Sequence, residues 1–356
     1  MKPAARFPFV NLSTELVLLI LSFAARPAFA QSEVERNPYA SALALCQVSR
    51  VIRRAALAQL LRTVILSTDN EVTSFVHALR MQHTYRQLGH HLYFDYTAHV
   101  RRIWIGQFYV PPPTAPLHGR FPPNTPVHNT VVPDIDFSVL APVILGACSL
   151  AIDFSSLFLL CGCLEHAWST HRSHTIHPEY YLPPWRVKYL TLSGEFARWL
   201  PLKSTAEGSA FLASISHLII LSPTPLTVCR HDPCFDEVQC LDHSLPEWIT
   251  SVPWAAFNSI QAVSLPFPHI VLPSSMRELA NVRVALLTLC ASAGLRDWAP
   301  KDISGSIKSG QGHVSLVDVR PSCSRSSVVS SDTRFAWEEA WACGLCKWPK
   351  DISNII

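Results

Sequence analysis

The residues best suited to chemistry are histidines and cysteines. Cys161, Cys163, His166, His171, His174 and His177 share one short tract, and Cys229, Cys234, Cys240 and His243 share another. Zinc favours such ligands, and structural sites draw them from two pairs, each spaced by roughly two to four residues. In the first tract the two cysteines are separated by only one residue, and the spacing of the second fits no standard zinc knuckle. Cys343-Gly344-Leu345-Cys346 supplies one such pair with no second pair downstream. The expected roles are therefore buried cysteines and polar loop histidines, with no metal site. Asp134 and Asp136 lie close together, but a lone acidic pair beside a Pro-rich stretch is weak support for acid–base work. The chain has no Gly-x-Ser-x-Gly elbow, no His-Glu-x-x-His, no Gly-x-x-x-x-Gly-Lys and no Gly-x-Gly-x-x-Gly. With only 12 glycines, backbone cradles for phosphate are improbable. No catalytic residue and no cofactor is expected, and the chain does not read as an enzyme.

If chemistry is absent, binding is the alternative, and composition limits its kind. The 356 residues carry 29 Lys+Arg against 26 Asp+Glu, a formal charge of +3. That is no footprint for nucleic acid. Hydrophobic residues make up 49%, which excludes a disordered chain. Only 15% of residues are charged, where a soluble domain carries about 25%. Two classes remain: a membrane or secreted chain, or a chain most of whose length is buried.

The N-terminus has the outline of a secretion signal. Lys2 and Arg6 precede an apolar run over residues 16–25, and Ala28-Phe29-Ala30 would be cleaved before Gln31. Against it, Glu15 abuts the run and Arg26-Pro27 interrupts the approach to cleavage. The odd count of 11 cysteines, scattered in apolar segments, agrees with a reducing compartment. The second apolar stretch, residues 139–164, carries Asp153 at its centre, which costs about 2.5–3.5 kcal/mol inside a bilayer. It reads as a buried strand followed by an apolar turn and helix. The expected location is cytoplasmic or nuclear, with no membrane partner.

The elements that would position a binding surface start at Ser13, a helix cap with Glu15 in the first turn. Leu16, Val17, Ile20 and Leu21 then form one apolar stripe. A second helix is expected from Asn37 as cap and Pro38 at the first position, running through Leu45, Val48 and Ile52. Arg50, Arg53 and Arg54 share another face of it, expected to be solvated.

These segments resemble the F-box. Leu12-Ser13-Thr14-Glu15-Leu16 with Ile20-Leu21 is similar to its "Leu-Pro-x-Glu-Leu…Ile-Leu" opening, and residues 43–54 to its "Leu…Val-Cys-Arg…Trp-Arg" half. The layout, including Leu60-Leu61-Arg62-Thr63-Val64-Ile65-Leu66, is similar to F-box-like proteins of mushroom-forming fungi. Ser13 stands in place of the usual Pro, Ser49 of the Cys and Ile52 of the Trp. The resemblance implies a non-catalytic substrate-recognition subunit of a Skp–cullin–F-box ubiquitin ligase. Leu12, Glu15, Leu16, Ile20, Leu21, Leu45 and Val48 would bind a Skp-type adaptor, and the rest of the chain an unknown protein substrate. A secreted or membrane-associated chain with a cleaved signal, and a repeat scaffold without ligase coupling, are the alternatives.

Beyond residue 62, strand-like runs occur at 63–66, 100–105, 148–152, 187–192, 217–221, 259–265, 284–289 and 313–319. All but the last have midpoints roughly 24–47 residues apart, the range of stacked repeats. Helix-length segments at 72–81, 154–168 and 205–215 lie between them. The expected fold is α/β: an F-box-like helical domain over 8–62, then an irregular leucine-rich-repeat-like array over 63–356. A Pro-rich loop at 111–133 and a Ser-rich segment near 304–332 interrupt the array. A final helix at 335–343, with Trp337 and Trp341 one turn apart, is expected to close its end.

Overall fold

A computed structural model describes residues 12–29, 37–108, 135–174, 183–194, 199–221, 251–266, 283–288, 314–318, 338 and 340–342. Three helices come first: α1 (Thr14–Ala24), α2 (Ala40–Cys46) and α3 (Arg50–Leu60). Then follow β1 (Thr63–Leu66), α4 (Asp69–Gln87), α5 (Tyr96–His99), β2 (Arg102–Ile105), α6 (Phe137–Gly146) and β3 (Ser149–Asp153). The chain continues through α7 (Leu157–His174), β4 (Tyr189–Ser193), α8 (Leu200–Lys203), α9 (Ala206–Ser214) and β5 (His217–Leu221). It ends with β6 (Ala262–Pro266), β7 (Arg283–Thr288) and β8 (Val314–Asp318).

The eight strands form one parallel sheet in sequential order, β1 to β8. Sequential order without a reversal keeps every crossover on one face when all share the usual right hand. The packing agrees. Val64, Ile103, Leu150, Leu190, Leu218 and Val263 lie side by side in register. They share one buried cluster with Phe75 and Leu79 of α4, Ile144 of α6, Leu160 of α7 and Phe211 of α9. The fold is thus mixed α/β with a one-sided helical layer. A doubly wound sheet binds ligands where its strand order reverses; among the described strands this order does not.

The alternate row, Ile65, Trp104, Ala151, Thr191, Ile219 and Ser264, faces away from the helices. We refer to this side as the open face. Trp104, Ala151, Ile219 and Ala262 form a second, smaller cluster there.

The expected second helix is broken in two. Ser49, extended at φ −160°, caps α3 by accepting a hydrogen bond from the Ile52 amide at 3.3 Å. A serine that offers a cap there competes with helix continuation. Asn37 does not cap α2 either: its Oδ1 accepts from the Tyr39 amide at 2.9 Å, and helix starts only at Ala40. Ser13 caps α1 as expected, accepting from the Leu16 amide. The apolar stretch at 139–164 is divided among α6, β3 and α7. Asp153 at its centre ends β3, its carboxylate accepting from the Ser155 amide at 2.8 Å and hydroxyl at 2.6 Å. Among the described residues no helix is long and apolar enough to cross a membrane. The Pro-rich loop at 111–133 lies outside the described residues, as does the Ser-rich segment apart from β8.

Candidate functional site

Two surfaces stand out, and the first is the N-terminal helical unit. Ala25, Ala42 and Ala56 meet at its centre, with Leu45, Cys46 and Leu60 packed around them. Such small residues let helices approach closely but bury little apolar area. The unit is tied to the sheet by Tyr39. Its hydroxyl donates to the Thr63 carbonyl at 3.1 Å and accepts from the Ile65 amide at 3.1 Å. Burial pushes that phenol well above its ordinary range.

The seven expected adaptor-binding residues divide into two groups. Leu21 is buried, and Leu45 packs against the alanine cluster. Leu12 is half-buried. Glu15 is exposed; its own backbone amide and the Ser13 hydroxyl lower its pKa below the usual carboxylate range. Leu16, Ile20 and Val48 are 50%, 40% and 64% exposed. Leu18, Leu19, Phe23, Leu43 and Val51 are exposed as well. Leu18, Leu19 and Phe23 escape the sequence reading because α1 is apolar on most of its circumference, so its periodicity does not say which stripe faces inward.

The second surface is the open face where β1, β2 and β3 meet. The helical segment containing Trp341 returns to it from the far end of the chain. The Trp341 ring lies 5.5 Å from that of Trp104, and the Arg102 guanidinium sits 4.3 Å above it. Arg102 also donates to the Ala342 carbonyl at 2.9 Å and to the Trp341 carbonyl. The Ser67 hydroxyl donates to Glu338 Oε1 at 2.7 Å. Burial, with the nearby Glu71 carboxylate, raises the pKa of Glu338. The described residues of this segment, 338 and 340–342, therefore pack on the first strands and not as a cap on the far end of the array. Trp104 is the physical reason, being a large apolar ring on the face that the helices leave uncovered. Trp337 lies outside the described residues.

Beside Trp341 runs a cleft of about 430 Å³. Arg62, His99, Arg101 and Arg102 line it together with Tyr189, and no carboxylate among the described residues does.

Of the other candidates, His166, His171 and His174 lie within α7 and not in the expected loop, because the helix runs on to His174. Asp136 caps α6 through the Ser138 amide at 3.1 Å and pairs with Arg80 at 3.3 Å. The Ser138 hydroxyl and Arg80 hold its pKa low. Asp134 lies outside the described residues. Cys161 and Cys163 both sit on α7, and burial pushes the Cys161 thiol up to about 11 and the Cys163 thiol higher still. Neutral thiols are poor metal ligands. Among the described residues no three His, Cys, Asp or Glu side chains gather as a metal site. His177, Cys229, Cys234, Cys240, His243, Cys343 and Cys346 lie outside the described residues.

No protein-family model matches the chain, and no curated protein or solved structure matches it either.

Proposed function

We propose that the chain is a non-catalytic substrate-recognition subunit of the kind found in Skp–cullin–F-box ubiquitin ligases. Its F-box-like helices bind a Skp-type adaptor, and its leucine-rich-repeat-like sheet binds a protein target. The observation that carries this reading is the exposure of α1, which buries Leu21 while Leu16, Leu19, Ile20 and Phe23 face solvent. Exposed apolar side chains that cluster on a folded unit mark an interaction surface. Val48 and Val51, at the α2–α3 junction, extend the apolar exposure of the same unit. The cap residues Ser13 and Ser49 account for two departures from the F-box pattern, since each accepts a hydrogen bond from a free helix amide. A cytoplasmic or nuclear location accompanies this reading.

Retention of α1 is favoured over its removal as a secretion signal. Ala25 packs with Ala42 and Ala56, so cleavage before Gln31 would open the centre of the unit. The test is co-purification of the full chain with a Skp-type adaptor. Capture of the adaptor by the native chain, lost in Leu16→Asp or Ile20→Asp, supports the reading. Truncating one such anchor at an apolar interface costs about 2 kcal/mol or more. A folded native chain that never captures the adaptor refutes ligase coupling and leaves a repeat scaffold.

A further inference from the structure

The contacts of Trp341 describe a docking motif as well as a packing contact. Trp341 is 1% exposed, packed near the Trp104 ring with the Arg102 guanidinium over its own ring. A cation over an indole face is attracted by the ring quadrupole, more strongly when water is excluded. Ala340 and Ala342 are buried beside it, and their small side chains let the backbone approach. That approach brings two carbonyls within reach of the forked guanidinium. Three residues before the tryptophan, Glu338 accepts from Ser67. The face thus reads four features at once: an acid, a tryptophan one helical turn later, small flanks, and the carbonyls of the tryptophan and the residue after it.

We propose that the open face at β1–β3 is the groove that receives the protein target. It takes a short helical segment with an acid-x-x-tryptophan pattern, and residues 338–342 of the chain itself hold it closed until such a segment displaces them. The proposal rests on the target-binding half of the reading above. The arginine-lined cleft gives a target its advantage. Of the described residues in the return segment, Trp341 alone borders it. A target whose chain runs past the tryptophan into an acidic residue would fill the cleft and meet His99 and Arg101 as well.

The experiment uses the full chain and a fluorescein-labelled peptide of residues 333–342, read by fluorescence anisotropy. The native chain competes with the peptide through its own segment, and apparent affinity falls by the fraction of molecules that are open. Trp341→Ala in the full chain frees the groove, and peptide affinity is expected to rise by about tenfold or more, a closed fraction of about 90%. Glu338→Ala, which removes the Ser67 hydrogen bond, serves as the second opening variant if Trp341→Ala fails to fold. Adding Arg102→Lys, which keeps the charge and loses the fork, is expected to reverse the gain. A peptide extended by two glutamates after Ala342 is expected to bind the opened chain more tightly than the plain one. Equal peptide binding by the native chain and a folded opened variant overturns the proposal, as does a gain untouched by Arg102→Lys. The assay contains no adaptor, so its failure is distinct from failure of ligase coupling.

Discussion

At the residue scale, two serines and one glutamate carry checkable consequences. Ser49 both splits the expected second helix and caps α3. Ser49→Ala is expected to lower stability by about 1 kcal/mol, the usual loss for an N-cap, measured as a shift in urea midpoint with unchanged slope. Ser67 is the reverse case: its amide donates to Glu71 and its hydroxyl to Glu338. Two carboxylates therefore converge on one serine, which with burial raises the pKa of Glu338. Tyr39 also lies within the electrostatic reach of Glu338. A glutamate whose folded pKa is raised binds its proton more tightly in the folded state. Its contribution to stability is present below the unfolded pKa and is lost as pH rises through the folded one. The contact of residues 338–342 with Ser67, just after β1, is expected to loosen as pH rises over that window. Trp341 fluorescence, compared with a Trp341→Phe chain to isolate its signal, follows the change, and Glu338→Gln is expected to remove this pH dependence.

At the element scale, the packing of strands and crossovers is tight in identifiable places. A Cβ on Gly106, just after β2, would lie 2.6 Å from the Ser67 carbonyl, and backbone cannot yield there cheaply. Gly106→Ala is expected to destabilise by about 1–3 kcal/mol through overpacking, read as a lower thermal midpoint. Leu150 lies at the centre of the row that α6 and α7 cover. Leu150→Ala is expected to cost about 2–5 kcal/mol, depending on how far the site collapses. Ile219 is also buried in β5, but on the open face. Ile219→Ala separates the two layers, because it would loosen the open face while leaving the helix-side cluster intact.

At the scale of the whole molecule, much of the sheet was legible from residues alone. Strands such as Thr63-Val64-Ile65-Leu66 and His217-Leu218-Ile219-Ile220-Leu221 are short apolar runs rich in β-branched or leucine side chains, and they emerge at or within three residues of the expected positions. The helix break at Ser49 was harder, because the apolar spacing of Leu45, Val48 and Ile52 continues across it, so the cap's local preference decided. The return of Trp341 to β2 was not legible. Arg102 and Ala342 are 240 positions apart, and no periodicity reports a contact of that range. One sign was present in Arg102-Ile103-Trp104-Ile105. A strand with bulky apolar residues on both faces needs cover on both. For the helical unit the stripe itself was the obstacle, since an α1 that is apolar on most of its circumference gives no inward direction.

The proposed function assigns one partner to the exposed helices and another to the sheet face. Hydrogen–deuterium exchange on the full chain, with and without a Skp-type adaptor, tests it most directly. The expected result is slowed exchange confined to α1, α2 and α3, with β2, β3 and residues 338–342 unchanged. No protection in the helices at saturating adaptor, or protection on the open face instead, would contradict it.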